Sequence, residues 1–252
     1  MDTYLTTVKE NKNIADKIFK LTLFGDIVKE MNNAGQFVNV KVGDEFLLRR
    51  PISICEINKK ENTFVMIYRV SGDGTKKMSL LKKGDIVDVL GPLGKSYDTN
   101  TLKSGQTALL VGGGIGVPPL YELAKQFQTK GVKTICVLGF NNKKDVFYEQ
   151  EFKKIAKTFI ATADGSYGES GFVTDVIKKY NLSYDKYYSC GPVAMLKALK
   201  NLDDKHIGYI SLEERMACGV GACYACVCEK ASGEVSRVCY DGPVFKAEEI
   251  LL

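Results

Sequence analysis

Alternating apolar and polar positions are common in residues 1–102. Between Asn62 and Val70, the apolar side chains of Phe64, Met66 and Tyr68 recur at every second position, which predicts a half-buried β-strand. Glycine-containing turn sequences separate this segment from other short ones, at residues 71–74, 83–85 and 91–94. Closely spaced short strands of this kind predict an antiparallel barrel or sandwich.

The pattern changes near residue 103, where apolar runs begin to alternate with helical periods. The runs that predict strands lie at residues 107–111, 134–140, 159–163 and 187–189. The segments that predict helices follow them, at residues 118–128, 146–157, 172–180 and 193–202. This alternation predicts a parallel sheet with helices on its faces, and the strands lack a period of two because both of their faces are buried.

A short strand-like segment at residues 206–211 leads into a cysteine-rich tail. The sequence therefore predicts three parts, which are a β-rich part over 1–102, an α/β part over 103–205 and a small metal-binding module over 206–252. The expected fold class is a multi-domain β plus α/β protein.

Charge and targeting signals narrow the classes of partner. The formal net charge is +5, and the lysines are scattered among acidic residues, so we expect no nucleic-acid binding. The N-terminus has no signal-peptide pattern, and no apolar run approaches the ~20 residues of a membrane helix. We therefore expect a cytoplasmic protein, in which the 8 cysteines are more suited to metal ligation than to disulfides.

Five of these cysteines lie in one short stretch. Cys218, Cys223 and Cys226 have the spacing C-x4-C-x2-C, which matches the loop that surrounds a [2Fe-2S] cluster in plant-type ferredoxins. Small residues between them allow the loop to curl so that backbone N–H groups approach the cluster sulfurs. Such clusters usually take one ligand from a separate strand, so Cys239 is the predicted fourth ligand and Cys228 a packing thiol.

Structural zinc is the alternative for this stretch. Zinc sites usually combine two closely spaced ligand pairs, often with histidine. Here three cysteines share one loop, and the single histidine of the chain, His206, lies well upstream. The spacing favours iron–sulfur over zinc.

Two strand ends of the predicted parallel sheet carry candidate nucleotide-binding loops. Glycines let a backbone approach a phosphate, and the N-terminus of the following helix supplies free N–H donors. The first loop contains Gly112, Gly113, Gly114 and Gly116, and the second contains Cys190, Gly191 and Pro192. The first loop does not have the G-x-G-x-x-G spacing, so a tight turn without a ligand remains the alternative.

A further candidate site lies in the β-rich part. An arginine here can bind a phosphate through two hydrogen bonds, and a serine can bond to a flavin or its ribityl chain. Later in the chain, an aromatic ring that could stack on the flavin, a second cation and a tight turn are further candidate contacts. The residues are Arg50, Pro51, Ile52 and Ser53, then Ile67, Tyr68 and Arg69, then Gly74 and Thr75. In isolation, the first group is equally typical of a strand end with an ion-paired arginine.

Together these motifs resemble the ferredoxin–NADP reductase superfamily with an added cluster. More closely, they are similar to the electron-transfer subunits of NAD-dependent dihydroorotate dehydrogenase of the B type, and the similarity covers essentially the whole chain. The segments that carry it are Arg50–Ser53, Gly112–Gly116, Asp164–Gly168, Gly171–Asp175, Cys190–Pro192, Glu213–Met216, Cys218–Cys223 and Val238–Phe245.

The resemblance implies an N-terminal antiparallel FAD-binding β-barrel, a nicotinamide domain and a C-terminal [2Fe-2S] module. FAD would contact Arg50 to Ser53, Ile67 to Arg69 and Gly74 with Thr75, and the cluster ligands would be Cys218, Cys223, Cys226 and Cys239. The implied partner is an FMN-containing catalytic subunit, in a heterotetramer of two plus two. Electrons from dihydroorotate would pass through the cluster and FAD to NAD, in pyrimidine biosynthesis.

Several alternatives stay open at this stage. A reductase subunit of another complex, of the sulfite-reductase or hydrogenase type, would share every cofactor motif. A zinc-stabilised binding module would be colourless, and a ferredoxin without flavin is disfavoured by the length of chain before the cluster. No side-chain acid–base catalyst is expected, since His206 has no evident catalytic partner. The residues do not decide between NAD and NADP.

Overall fold

A closed six-stranded antiparallel barrel forms the N-terminal part of the computed structural model, which describes residues 2–202 and 207–252. Its strands are β1 (Asp2–Ala15), β2 (Ile18–Phe24), β3 (Phe37–Val40), β4 (Arg50–Asn58), β5 (Thr63–Arg69) and β6 (Ile86–Leu93). The strand order is β1-β2-β5-β4-β3-β6, and a short helix α1 (Asp73–Met78) lies between β5 and β6. The predicted choice between barrel and sandwich is thus decided for the barrel.

Strand β5 is buried on both faces, not on one as the sequence pattern predicted. Phe64, Met66 and Tyr68 point into the barrel core, and the intervening Val65 and Ile67 pack in the core of the α/β part. The prediction of a half-buried strand was wrong because it counted only one apolar set. The second set, Val65 and Ile67, is also apolar and marks the wall of the barrel that meets the next domain.

The second part is a seven-stranded sheet with helices on its faces. Its strands are β7 (Thr107–Gly113), β8 (Lys133–Phe140), β9 (Lys157–Thr162), β10 (Glu169–Ser170), β11 (Lys186–Cys190), β12 (Gly208–Ser211) and β15 (Val244–Lys246). Between β12 and β15, the strands β13 (Val227–Glu229) and β14 (Val235–Arg237) form a separate hairpin. The helices are α2 (Pro118–Thr129), α3 (Glu149–Lys153), α4 (Val173–Lys179) and α5 (Val193–Leu202). Single 3₁₀ turns span Asp26–Lys29, Thr99–Thr101, Gly114–Gly116, Lys143–Asp145 and Ala247–Glu249.

The sheet has the order β10-β9-β8-β7-β11-β12-β15 and is parallel except for its last strand, which runs antiparallel to β12. The predicted strands and helices are present, and the central strands are buried on both faces as expected. Across residues 2–202 and 207–252, no helix has the length and apolar character required to cross a membrane.

One predicted helix is much shorter than expected. The sequence predicted a helix over 146–157, but α3 covers only Glu149–Lys153, and the strand β9 already begins at Lys157. Tyr148 has a left-handed backbone with φ of 60°, which starts the helix abruptly. The apolar side chains of Phe147 and Tyr148 are buried in the loop before the helix, so their spacing reflects packing and not a helical period.

The C-terminal segment is joined to the α/β sheet at both of its ends. Strand β12 pairs with β11, and β15 pairs with β12, so two strands of the predicted cluster module belong to the sheet of the preceding domain. The segment between them contains the cysteines and the β13–β14 hairpin. His206, and with it the start of the predicted strand at 206–211, lies outside the described residues.

A buried glutamate fastens the α/β domain to the barrel. Glu122 of α2 is only 6% exposed, and its carboxylate accepts a hydrogen bond from the backbone N–H of Ile57 in β4 at 3.0 Å. Lys125, one turn later, bonds Glu56 at 3.0 Å and lies 3.4 Å from the Glu122 carboxylate. A register shift between Ile54 and Glu56 interrupts the β4–β5 ladder just before this contact.

We expect Glu122→Ala to lower the free energy of unfolding by about 1–3 kcal/mol, because the buried N–H of Ile57 and the Lys125 cation each lose an acceptor. Urea unfolding followed by circular dichroism measures this. Glu122→Gln keeps an acceptor oxygen and should retain most of the stability, and the exposed Glu61→Ala serves as a surface control. An unchanged unfolding midpoint in Glu122→Ala would show that the contact does not stabilise the domain pair.

Candidate functional site

A cavity of about 700 Å³ opens between the barrel and the carboxyl ends of the parallel strands. The barrel contributes Arg69 from the end of β5, and the α/β domain contributes the loops after β7, β8, β9 and β11. The edge at the carboxyl ends of parallel strands is where open α/β sheets bind ligands. The lining residues that the sequence predicted are Arg69, Gly113, Gly114, Gly116, Gly191 and Pro192.

The two glycine loops approach each other so closely that side chains are excluded. A Cβ atom at Gly116 would clash with the carbonyl of Cys190, and one at Gly191 would lie 3.0 Å from the backbone nitrogen of Gly113. Gly114 has a positive φ of 52°, which favours glycine. The loops therefore present backbone to the cavity, as binding of a phosphate group requires.

Two of the predicted nucleotide contacts lie behind the cavity wall. Cys190 is 2% exposed, and burial raises the pKa of its thiol. Gly112 belongs to β7, and a Cβ there would lie 2.9 Å from Val117. Neither residue lines the cavity, so direct contact with a nucleotide stays a prediction for both, and their observed role is packing.

The cavity is also lined by side chains that the motifs did not single out as site residues, including those of Met195, Phe172 and Glu213. Met195 of α5 covers Gly113 and Gly191, and Phe172 exposes 67% of its surface just before α4. Glu213 follows β12, and its side chain is exposed at the cavity wall. A charged residue two positions after the predicted strand 206–211 was the available signal for Glu213, whereas nothing in the local sequence marks Met195.

A second polar edge lies on the barrel, where the two adjacent arginines have different surroundings. The Arg49 guanidinium forms two hydrogen bonds with the Asp88 carboxylate, at 2.9 and 3.0 Å. Arg50 bonds the carbonyl of Leu48 at 2.5 Å, and its guanidinium packs against Gly74 so tightly that a Cβ there would clash. Thus Arg49 is the ion-paired arginine, and Arg50 remains the candidate for an anion.

The other predicted flavin contacts lie near this edge. Pro51, Ile52 and Ser53 are half-buried on β4. The Thr75 hydroxyl accepts hydrogen bonds from the backbone N–H groups of Ser71 and Gly72, at 3.0 and 3.2 Å, and so closes the turn before α1.

The predicted stacking role of the Tyr68 ring is wrong. The ring is 1% exposed inside the barrel, where it stacks on Phe19, and its hydroxyl bonds Asn11 at 3.2 Å. The physical reason is the period of two along β5, which turns Tyr68 inward and its neighbours Ile67 and Arg69 outward. Only the backbone of Tyr68 is left for contact with a ligand.

The four predicted ligand cysteines come together. The Cys218 thiol lies near that of Cys223, and the Cys239 thiol lies near those of Cys226 and Cys218. Backbone N–H groups point at their sulfurs: Val220 to Cys218 at 3.4 Å, Gly221 to Cys239 at 3.2 Å, and Cys239 to Cys226 at 3.3 Å. Cys223 is exposed, and Cys226 and Cys239 are buried.

These N–H groups change the acidity of the thiols. Partial burial opposes ionisation of Cys218, but the N–H groups of Val220, Cys223 and Ala222 outweigh it and lower the pKa of Cys218 to about 6. For Cys239 burial has the larger effect, and together with the neighbouring Cys226 it raises the pKa to about 12. Iron ligation takes thiolates, so binding at this site would release protons.

The donor set fits a two-iron cluster better than a single ion. Among the described residues, no three His, Cys, Asp or Glu side chains converge on one point as a mononuclear site requires. A [2Fe-2S] cluster instead takes two thiolates on each iron, which agrees with four neighbouring cysteines and with N–H groups directed at sulfur. Cys228 lies on β13, half-buried against the apolar core, as expected for a packing thiol.

A buried asparagine connects the cysteine loop to the barrel. Asn39 lies on the outer face of β3, is 1% exposed, and donates from its amide nitrogen to the carbonyl of Cys218 at 3.4 Å. The amide nitrogen is so close to Gly219 that a Cβ there would clash, and the amide oxygen has no hydrogen-bond partner. The barrel wall that meets the cavity through β5 thus also contacts the cysteine loop through β3.

Comparison with known families and proteins agrees with this arrangement. Residues 213–251 match the iron–sulfur cluster binding domain of dihydroorotate dehydrogenase B, and residues 110–201 match the oxidoreductase NAD-binding domain. The chain is 60% identical over 251 residues to the "dihydroorotate dehydrogenase B (NAD(+)), electron transfer subunit" of Fusobacterium nucleatum, covering 97% of this chain and 96% of the relative. The same-named protein of Bacillus pumilus is 56% identical, with 99% and 98% covered.

Solved structures share the fold. The NADH-dependent reduced ferredoxin–NADP oxidoreductase superposes with a TM-score of 0.88 at 32% identity, covering 98% of this chain and 89% of that one. Ferredoxin–NADP⁺ reductase from Plasmodium falciparum shows the same fold at 12% identity, with a TM-score of 0.63 over 80% of this chain and 89% of that one. By its sequence and its three-part architecture, the chain belongs to the family of electron transfer subunits of NAD(+)-dependent dihydroorotate dehydrogenase B.

Proposed function

We propose that this chain receives electrons from an FMN-containing catalytic subunit that oxidises dihydroorotate, and passes them to NAD in pyrimidine biosynthesis. The proposed assembly has two catalytic and two electron-transfer subunits. One observation carries the proposal: a single barrel wall reaches the nucleotide-sized cavity through Arg69 and the cysteine loop through Asn39, in a chain 60% identical to a protein of that name.

Three sites follow from this reading. We assign FAD to the barrel edge around Arg50, Ser53, Arg69 and Thr75, NAD to the cavity with the two glycine loops, and a [2Fe-2S] cluster to the four cysteines. FAD bound there would exchange two electrons as a hydride with the nicotinamide, and one electron at a time with the cluster. The functional divisions remain 1–102, 103–205 and 206–252, although β12 and β15 serve the sheet of the second.

The side chains of the cavity position the nucleotide and control its surroundings. Gly114 and Gly116 present backbone to the cavity, and Met195 packs over Gly113 and Gly191, where it excludes water. Glu213 also lines the cavity, where its side chain is exposed and can contact a bound molecule.

The surface around Cys223 fits contact with a partner protein. Tyr224 and Tyr240 expose 58% and 52% of their surfaces on either side of Arg237, next to the loop that contains the exposed Cys223. Clustered exposed apolar residues mark interaction sites, and tyrosines are common at interface centres. A one-electron carrier is useful only where it meets its partner, so we place the catalytic subunit on this face.

A reductase subunit of another complex is the alternative function. The NADH-dependent reduced ferredoxin–NADP oxidoreductase has the same architecture, which agrees with reuse of the fold with other partners. The identity of 32% to that protein is about half of the 60% to the dihydroorotate dehydrogenase B subunit. The difference favours the dihydroorotate assignment.

Replacing Arg50 should weaken flavin binding. A charge-assisted hydrogen bond contributes about 1.5–3 kcal/mol, so we expect Arg50→Gln to reduce FAD affinity by about tenfold or more. Fluorescence titration of the flavin-free protein with FAD measures this. Arg49→Gln is the matched control, because Arg49 is bonded to Asp88 and its loss should affect stability more than affinity. Equal loss of affinity in both variants would contradict the assignment of Arg50.

Loss of Cys223 should separate the two electron-transfer activities. We expect Cys223→Ser to abolish NAD reduction coupled to the partner, and to leave NADH oxidation by artificial acceptors largely unchanged. Cys228→Ser should keep both activities and the visible absorption of the cluster. If Cys223→Ser loses both activities equally, the separate roles of cluster and flavin are not supported.

The decisive experiment uses the tagged chain with whatever co-purifies from its own cells. We expect dihydroorotate to drive NAD reduction in this preparation and not with the chain alone. A preparation that contains flavin and cluster but does not respond to dihydroorotate would keep the cofactor chemistry and exclude the named reaction. A colourless protein would exclude both.

A further inference from the structure

An arginine outside the ligand set holds the cysteine loop in place. Arg237 lies at the end of β14, and its side chain is 24% exposed. Its Nη1 atom donates to the carbonyl of Gly221 at 3.0 Å, and its Nε and Nη2 atoms donate to the two carboxylate oxygens of Asp241, at 3.0 and 3.2 Å. The side chain thus connects the loop of the first three cysteines with the turn that follows Cys239.

Two tyrosine rings complete the surroundings of the guanidinium. Its central carbon lies 5.1 Å from the ring centre of Tyr224 and 4.6 Å from that of Tyr240, both within the range of cation–π attraction. Tyr224 follows Cys223 directly and has a positive φ of 56°. Such a conformation is uncommon outside glycine and is maintained here by contacts such as this one.

Gly221, which Arg237 holds through its carbonyl, also contacts the sulfur of the predicted ligand Cys239. The backbone N–H of Gly221 donates to the Cys239 sulfur at 3.2 Å, while the carbonyl of the same residue accepts from Arg237. Gly221 has φ of 83°, and a Cβ atom there would lie 2.8 Å from the Tyr240 side chain. Gly221 is therefore held on three sides, and a shift of Arg237 would shift its N–H group.

We propose that Arg237 is a positioning residue of the iron–sulfur site, which holds the loop against Cys239 and favours the reduced cluster through its charge. The inference rests on the proposed function, because it takes the four cysteines as cluster ligands. Reduction adds negative charge to a cluster that is already anionic, so a nearby cation stabilises the reduced form. Asp241 opposes this effect, and the cation and its counterion should shift the potential in opposite directions.

Three variants separate the charge from the geometry. Arg237→Gln removes both the cation and the forked donor. Arg237→Lys keeps the cation but cannot bond Gly221 and both Asp241 oxygens in the same way. Asp241→Asn keeps the arginine and removes the opposing charge.

The test is a redox titration of the isolated, cluster-containing chain, followed by electron paramagnetic resonance, together with the rate of iron loss to a chelator. At the wild-type midpoint, we expect Arg237→Gln to lower the ratio of reduced to oxidised cluster by about tenfold, which is about 59 mV for a one-electron centre. Asp241→Asn should raise the ratio. Arg237→Lys should change the ratio little but lose iron faster than the wild type.

The outcomes distinguish this inference from the proposed function. If the wild-type chain gives no [2Fe-2S] signal, the proposed function fails. If the wild type gives the signal and neither Arg237→Gln nor Asp241→Asn changes the ratio, only the role of charge is overturned. Iron loss at the wild-type rate in both Arg237 variants would overturn the positioning role. Should Arg237→Gln fail to fold, the other two variants still decide both points.

Discussion

The structure depends on a barrel wall that is buried on both of its faces. Along β5, inward side chains such as Met66 fill the barrel, while outward ones such as Ile67 pack in the core of the α/β domain. On β3, Val38 points inward and Phe37 packs with the core that also contains Cys226 and Cys239. Three hydrophobic cores therefore meet at one layer of backbone, and none can shift without disturbing the others.

This shared wall fixes the three sites relative to one another. Electron transfer between cofactors needs constant separations, and a flexible linker between domains would not supply them. Here the barrel edge with Arg50, the helix with Glu122 and the loop that Asn39 contacts are all attached to neighbouring strands. Relative domain motion is the usual expectation for small polar interfaces, but this interface is apolar and contains a buried hydrogen bond.

The sequence predicted the fold class, the order of the parts and most strands, because turns, periods and cysteine spacing are local signals. It could not predict the double burial of β5, since Val65 and Ile67 pack in a core with residues far along the chain, such as Val117 and Leu120. The same holds for Tyr68, whose direction is set by the barrel, and for Met195, which reaches the cavity only through the packing of α5. The contact of Arg237 with Gly221 could not be predicted for a similar reason, because it exists only after the loop has folded.

The cysteine segment leaves and rejoins the sheet at adjacent positions. Ser211 of β12 pairs with Val244 of β15, and Leu212 donates to the carbonyl of Pro243 at 3.0 Å, so the two ends of the intervening chain lie side by side. Closely spaced ends are the condition under which a segment can be inserted into a protein without disturbing its host. Because residues 212 and 243 lie side by side, the length of the segment between them can vary without changing the order of the strands in the sheet.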